Sequence, residues 1–503
     1  MHLAFIQTRS QAGLLAPEVI VEIHLGSGLP GFQVVGFSES ATRQIRGRVR
    51  SAILSSHLKW PDFNITVNLA PTELPKEGPR YDLPIALGLL VASQQLPQRC
   101  IVGREFFGEL GLDGGIHAFR GALAAALAAT RAGHACGMAH QGASEIATLT
   151  EGRLITAPDL LSLCAQLKKA DPEYAPRGTP INPDHFPYPD LSQLKGQPLL
   201  CKALEVAATG GHHLLMTGPP GVGKTLAASV LPGLLPPLPD KTVQELLLMQ
   251  DIVGLTERGG PPFRAPHHSS SVASLMGGTA RALPGEISMA HGGVLFLDEL
   301  TEFPHAVLNQ LRQPLETGFI RVNRAQHQHQ YPAQFQLVAA MNPCPCGLAG
   351  DPDRRCRCTP DRIRRYSQGI SGPLTDRIDL HITLQRPPPE LLLSKSTGGQ
   401  SSSGDVRNRV TLMRQRQRER QDCLNRDLSG DNLLKACQLK NDTERWLIRA
   451  VAKLNLSARS THRRLKVART LADMSGDRSV AIPHLKTALT FREAPSTDDA
   501  GAV

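Results

Sequence analysis

The stretch LLMTGPPGVGKTLAASV, residues 214–230, decides the fold of this chain. Its centre, Gly218-Pro219-Pro220-Gly221-Val222-Gly223-Lys224-Thr225, matches G-x-x-x-x-G-K-[ST], a phosphate-binding loop between a buried strand and a helix. Residues 214–216 are apolar enough for that strand, and residues 226–230 suit the helix. The sequence therefore predicts an α/β nucleotide-binding domain with a parallel sheet.

The side chains of this loop predict the cofactors. Its glycines let backbone N–H groups wrap phosphates at a helix N-terminus. Lys224 is placed to reach the β- and γ-phosphates, and Thr225 to bind a metal ion. We therefore expect ATP and Mg²⁺ as cofactors, in contact with residues 218–225.

Polar side chains end two further apolar runs. Asp298 and Glu299 follow Val294–Leu297, and phosphoryl transfer needs one group that orients the metal and one that orients the attacking water. We assign these tasks to Asp298 and Glu299, with a pair of ordinary surface acids as the alternative. Asn342 ends the run 335–341 and is expected between the carboxylates and the γ-phosphate.

Four more segments carry a family resemblance over nearly the whole chain. They are PFRAPHH (262–268), PGEISMAH (284–291), NPCPCG (342–347) and SGPLTDRID (371–379). With the three strand ends, they resemble the AAA+ ATPases of the magnesium-chelatase-like group, of the bacterial ComM/YifB type. The resemblance implies a homohexameric ring with ATP bound between neighbouring subunits.

The resemblance also assigns site residues. It gives Walker A to Lys224 and Thr225, Walker B to Asp298 and Glu299, sensor 1 to Asn342, the arginine finger to Arg377 and sensor 2 to Arg459. The finger would act on ATP of the adjacent subunit. A salt bridge with Asp376 or Asp379 is the alternative for Arg377, and Arg463 and Arg464 compete for the sensor 2 role.

Two stretches read as linkers and divide the chain. Residues 171–189 are rich in proline, and residues 386–404 in Pro, Gly and Ser, which favours extended or flexible chain. We predict an α/β multidomain protein whose parts are a Lon-protease-like α+β domain at 1–170, an AAA+ core with a parallel-sheet P-loop fold at 190–385, a helical lid at 405–495 and a tail at 496–503.

The first domain resembles a Lon protease that lacks its catalytic pair. PKEGPRYD, residues 75–82, is similar to the Lon nucleophile segment, in which serine follows Gly-Pro, but Arg80 stands there. Leu123 stands at the matching place of the catalytic lysine. An activated serine needs a hydroxyl and a base, so we predict no peptidase activity. The domain then supports the ring or binds DNA through a basic helix with Arg43, Arg46, Arg48 and Arg50.

Four cysteines, Cys344, Cys346, Cys356 and Cys358, follow the spacing C-x-C-x9-C-x-C. They suit a structural Zn²⁺ site, and since four thiolates leave no open position, not a catalytic one. A metal-free thiol cluster and redox chemistry remain alternatives. The segment also carries arginines that suit DNA or a subunit boundary: Arg354, Arg355 and Arg357.

In the related group, an insertion before Walker B and a hairpin before sensor 1 face the pore of the ring. By position they lie within 263–290 and 318–334. Side chains of the second stretch suit phosphate contacts, with a solvent-facing hairpin as the alternative: Arg321, Asn323, Arg324, His327 and His329.

The net charge of +10 comes from residues 401–470, which hold 17 Lys or Arg against 7 Asp or Glu. This asymmetry favours a polyanion partner, with a solvated basic face or an oligomer contact as alternatives. Only 4% of residues are aromatic, which favours gripping phosphates over stacking bases. Residues 1–5 lack signal-peptide features, and the longest apolar runs fall short of the ~20 residues that span a bilayer, so we expect a cytoplasmic protein.

The motifs alone predict ATP hydrolysis. The family resemblance implies a helicase or translocase that promotes branch migration during recombination in natural transformation. Its partners would be DNA (single-stranded, duplex or branched) and recombination proteins, with no membrane. A protein-remodelling ATPase of magnesium-chelatase type is the alternative. An ATP-dependent protease is disfavoured by Arg80 and Leu123.

Overall fold

The structure, a computed structural model, describes residues 3–74, 76, 78–177, 188–255, 260–278, 282–324, 327–351, 355–368, 372–386 and 401–491. Several predictions fall outside these residues: they concern Pro75, Glu77, Arg354, Ser371, the side chains of Arg324 and His327, much of both linkers and the tail. The chain divides into two compact units, each mixing sheet and helix, which confirms the predicted α/β class. The first unit is Met1–Ile181, Val243–Glu257 and Ala325–His329, and the second is Asn182–Thr242, Arg258–Arg324 and Gln330–Val503.

The first unit is built on a seven-stranded sheet. Its strands are β1 (Leu3–Arg9), β2 (Glu18–Gly26), β3 (Gly31–Val34), β4 (Asn64–Ala70), β5 (Arg104–Phe106), β8 (Ala135–Ala139) and β9 (Leu154–Ala157), beside a short antiparallel pair, β6 (Glu109–Leu110) and β7 (Ile116–His117). The order is β3-β4-β2-β1-β5-β8-β9. β2 pairs antiparallel with both β1 and β4, and the other neighbours are parallel.

An all-buried helix forms the centre of this unit. The unit's helices are Glu39–Ser55, Asp82–Ala92, Ala122–Arg131, Ala143–Thr150 and Leu160–Lys168. Every residue of Asp82–Ala92 is buried, as expected for a helix that is apolar on all sides. A Cβ added to Gly88 would lie 2.6 Å from Cγ1 of Ile23 on β2. The helix therefore packs directly on the sheet, and only a residue without a side chain fits at the point of contact.

The second unit contains a fully parallel five-stranded sheet. Its strands are β10 (Leu214–Thr217), β11 (Phe263–Arg264), β12 (Val294–Leu297), β15 (Gln336–Met341) and β16 (Leu380–Thr383), beside a two-stranded sheet of β13 (Phe319–Arg324) and β14 (His327–Pro332). The order is β11-β12-β15-β10-β16. β12 and β15 are buried along their whole length, which is typical of central strands covered on both faces. Parallel strands end at one sheet edge, where ligands of such sheets bind.

Helices surround this sheet and continue to the end of the described chain. They are Pro198–Gly210, Lys224–Leu234, Asp240–Val253, Val272–Met276, Glu286–Met289, His305–Gln310, Arg312–Thr317, Pro360–Gln368, Gly372–Thr375, Ser403–Gln421, Gly430–Cys437, Asn441–Lys453, Ala458–Ser475 and Ile482–Thr490. The last five account for residues 401–491 without a strand. We call Ala458–Ser475 the lid helix; Leu465, Val467 and Leu471 on it share one core with β10 and β15.

The described helices were also tested against the length and apolarity that crossing a bilayer demands, and none of them meets both.

Candidate nucleotide site

The phosphate loop joins β10 to the helix Lys224–Leu234. Gly221 and Gly223 have φ of 81° and 86°, in the left-handed region that favours glycine. Lys224 Nζ donates to the carbonyl oxygens of Gly218 at 2.6 Å and Pro219 at 3.1 Å. Burial lowers the pKa of this lysine. The ammonium group is thus held over the loop, where the phosphates of a nucleotide are expected.

Side chains from three neighbouring strands meet beside this loop. Asn342, after β15, accepts a hydrogen bond from Lys224 Nζ at 3.0 Å through Oδ1. Asp298, after β12, accepts one from Thr225 Oγ1 at 3.0 Å. A hydroxyl beside a carboxylate is a donor set that Mg²⁺ accepts. The structure therefore brings together the residues that the sequence assigned to Walker A, Walker B and sensor 1, while their chemical roles stay predictions.

Glu299 has an unusual backbone. Its φ is 51°, which is uncommon for a residue other than glycine and occurs most often at functional sites. Its side chain is half exposed, and its Oε2 lies 3.4 Å from Nδ1 of His268. The sequence analysis quoted His268 only as part of a family segment. The signal that could have found it is the pairing of β11 with β12, which brings the ends of both strands together.

The predicted finger, Arg377, forms an ion pair with Glu316 of the helix Arg312–Thr317. The acids that the sequence offered as its partners bind other groups. Asp376 pairs with Arg459 at 3.4 Å and with Arg463 at 3.5 Å. Burial, together with the nearby Arg459 and Arg312, lowers the pKa of Arg377. A crowded guanidinium of this kind is suited to accept further negative charge.

The three candidates for sensor 2 differ in what they contact. Arg463 Nη1 donates to the carbonyls of Thr375 and Ile378, both at 3.1 Å. Arg464 is buried and donates to the carbonyl of Asp379 at 2.9 Å. Arg459 keeps 52% of its side chain exposed. Two arginines of the lid helix therefore hold the segment around Arg377, and Arg459 is the one best placed to meet a ligand.

A buried histidine also links this segment to the lid helix. His212, just before β10, contacts Asp379 Oδ2 through Nδ1 and Thr470 Oγ1 through Nε2, each at 2.8 Å. Burial disfavours ionisation of Asp379, but the His212 hydrogen bond lowers the pKa of that carboxyl to about 2. Arg377 and Arg459 line one cleft of about 430 Å³ together with Arg426, Arg463, Lys466 and other residues of the core and lid.

The four cysteines form one cluster whose sulfur atoms lie within 4.8 Å of one another. Cys344 Sγ is 3.3 Å from Cys346 Sγ and 3.6 Å from Cys356 Sγ. A tetrahedral zinc with Zn–S bonds of about 2.3 Å separates its sulfurs by about 3.8 Å, so the donor set fits this ion. A Cβ on Gly347 would lie 2.8 Å from Cδ of Pro220, so the cluster packs against the phosphate loop.

In the first unit, the places of the Lon catalytic pair hold structural side chains. Arg80 Nη2 donates to Gln11 Oε1 at 2.6 Å, and its guanidinium lies 5.0 Å from the ring centre of Phe119. Leu123 is buried. Of the four arginines on the helix Glu39–Ser55, Arg48 binds the buried Asp82 at 2.6 Å, and the other three are exposed.

Much of the positive charge in residues 401–470 serves the fold. Ion pairs with acids of the same unit occupy Arg409, Arg420, Arg426, Arg459, Arg463 and Arg469. Arg407, Arg414 and Lys466 donate to main-chain carbonyls. The net charge of this stretch is therefore weaker support for a polyanion partner than the count alone suggests.

The sheet order, the phosphate loop and the polar strand ends define the class of P-loop α/β proteins. Three family models match consecutive parts of the chain: subunit ChlI of magnesium chelatase at residues 21–139, magnesium chelatase, subunit ChlI, at 190–392, and the C-terminal part of that subunit at 400–492. The family implies an AAA+ ATPase that uses ATP and Mg²⁺.

Individual relatives narrow this class. A protein named YifB from Salmonella typhimurium is 41% identical over 497 residues, covering 98% of this chain and 97% of its own. Competence protein ComM from Haemophilus influenzae is 41% identical over 502 residues, covering 98% of both chains. The magnesium-chelatase 67 kDa subunit of Heliobacterium mobile is 26% identical over 38% of this chain and 32% of its own. The chain belongs to the ComM/YifB family of magnesium-chelatase-like proteins.

Proposed function

We propose that this protein is an ATP-driven translocase that moves along DNA as a homohexamer and promotes branch migration during recombination in natural transformation. The observation that carries the ATPase part is the meeting of Lys224, Thr225, Asp298 and Asn342 at one sheet edge. The name of the Haemophilus relative, competence protein, supports the biological setting. The low aromatic content, 4%, supports a grip on phosphates rather than on bases.

Hydrolysis follows from what each side chain can do. Backbone N–H groups of the loop bind the phosphates of the substrate ATP, and Lys224 offsets their charge. Thr225 and Asp298 hold Mg²⁺, which neutralises charge on the β- and γ-phosphates when it is bound. Glu299 accepts a proton from the attacking water, and Asn342 orients the γ-phosphate. These steps need no covalent intermediate, because positioning and electrostatics supply most of the rate in phosphoryl transfer.

The ring follows from Arg377. This residue shares its cleft with Arg459, and the residues that line the cleft do not include the phosphate loop, Asp298, Glu299 or Asn342. An arginine that stabilises the transition state has to reach the γ-phosphate. We propose that Arg377 and Arg459 serve the ATP of an adjacent subunit, which makes the hexamer the active form.

DNA should stimulate hydrolysis. We expect forked or branched DNA to raise the ATPase rate of the wild-type protein, and Lys224→Ala to abolish both the basal and the stimulated rate. The measurement is phosphate release at a series of salt concentrations. Affinity for duplex DNA should fall with a log–log slope of about −0.9 for each phosphate contact. A wild-type enzyme that hydrolyses ATP, yet responds to no DNA and unwinds none, would instead be a protein-remodelling ATPase.

The cysteine cluster should bind zinc. We propose that Cys344, Cys346, Cys356 and Cys358 hold one structural Zn²⁺ per chain, because their four sulfurs match a tetrahedral site. Metal content by atomic absorption should fall from one zinc per chain to near zero in the double variant Cys346→Ser/Cys356→Ser. Its melting temperature should fall on the order of 5 °C. Cys201→Ser, which removes a thiol outside the cluster, is the control, and a full zinc content in the double variant would refute the site.

A further inference from the structure

The segment after β11 brings a histidine to the proposed catalytic base. β11 pairs in parallel with β12, with Arg264 opposite Leu295, so the chains that leave both strands start at the same edge of the sheet. His268 follows β11 by four residues, and Glu299 follows β12 by two. Their side chains meet with Nδ1 of His268 3.4 Å from Oε2 of Glu299. Strand pairing therefore explains a contact between residues that are far apart in sequence.

Aromatic rings hold the His268 side chain on two sides. The ring of His267 is centred 4.1 Å away and tilted by 34°. The ring of Phe303 is centred 6.5 Å away in an edge-on arrangement. Phe303 is buried and directly follows the 3-10 turn Leu300–Glu302, which begins at Glu299. The imidazole thus has little freedom to turn away from the carboxylate.

The carboxylate is also fixed from its own side. The left-handed backbone of Glu299 directs its side chain away from the path of β12, and its N–H donates to Asp298 Oδ1 at 3.0 Å. His268 contacts only one of the two carboxylate oxygens in the recorded pair. The other oxygen remains available to a water molecule. A general base acts only when it is within hydrogen-bond reach of the proton it accepts, so the rotation of this carboxylate matters for the rate.

We propose that His268 is a positioning residue that orients the carboxylate of Glu299 toward the attacking water. The inference rests on the proposed ATPase activity and goes beyond it by assigning a role to the segment between β11 and β12. His268 acts through Glu299 and contacts the base on the side away from the water. ATP binding does not depend on it, because Lys224 and the loop glycines supply that affinity.

The test is a kinetic comparison of three variants of the full-length chain. His268→Ala should lower kcat on the order of tenfold, because small errors in the position of a reacting group are costly, and leave the KM for ATP unchanged. His268→Asn should recover most of the rate, since its amide nitrogen is as many bonds from Cα as Nδ1. His267→Ala, which keeps the contact with Glu299, should stay within about twofold of wild type.

Each result decides between specific alternatives. A raised rate in His268→Ala would overturn the proposal, because it would make the contact a restraint on Glu299. An unchanged kcat, or a loss that His268→Asn shares with His268→Ala, would also overturn it. Binding of a fluorescent ATP analogue, measured beside the rates, should match wild type in all three variants. If the wild-type chain itself hydrolyses no ATP, the proposed function fails instead.

Discussion

Arg377→Ala is expected to lower the ATPase rate on the order of a thousandfold while the protein still binds ATP, since an arginine finger acts on the transition state. In the structure, Arg377 is held by Glu316 and lies in a cleft with Arg459, and its lowered pKa reflects burial and neighbouring positive charge. ATP turnover and analogue binding should be measured in parallel. Arg365→Ala, which removes an exposed arginine of the helix Pro360–Gln368, is the matched control and should retain the wild-type rate.

Mixed rings separate action within a subunit from action on a neighbour. Arg377→Ala subunits retain an intact phosphate loop, and Lys224→Ala subunits retain an intact finger. At boundaries where the two meet in the correct order, one complete site forms, so the mixture should recover part of the activity that neither variant has alone. A mixture that stays inactive at every ratio, although the subunits co-assemble, would show that Arg377 serves the structure of its own chain.

Glu299→Gln is expected to lower turnover by about a hundredfold to ten-thousandfold, since an amide cannot accept the proton of the attacking water. The contact with His268 and the left-handed backbone can both remain, so ATP binding should be preserved. Single-turnover hydrolysis with radiolabelled ATP gives the rate, and filter binding gives the affinity. Glu302→Gln changes an exposed acid three residues away and should hydrolyse ATP normally. Near-normal turnover in Glu299→Gln would assign the base to another group.

The local elements of the nucleotide site could be predicted from sequence. The run Val294–Leu297 is β12 itself, and the predicted strand 335–341 begins one residue later in the structure, at Gln336. These strands are central and buried on both faces, so they read as continuous apolar runs. The polar residues that end them meet because parallel strands share one edge. Composition also gave the helical character of the lid.

Contacts that depend on strand order or helix docking could not be predicted. The sequence offered Asp376 and Asp379 as partners of Arg377 because they are adjacent, whereas the structure pairs it with Glu316, about sixty residues away. The meeting of His268 with Glu299 requires knowing that β11 lies beside β12. In the first unit, the order of the seven strands mixes parallel and antiparallel pairs, which no local pattern specifies.

The lid helix grips the backbone on both sides of Arg377, through Arg463, Arg464 and the His212 bridge to Thr470. A fragment that ends before the lid would keep every residue of its own phosphate loop but lose the support of its finger. If the finger serves the next subunit, a sequence change in the lid is felt one position around the ring. Inherited variants of the lid would then behave as faults of the neighbour, and a wild-type subunit on the wrong side could not compensate for them.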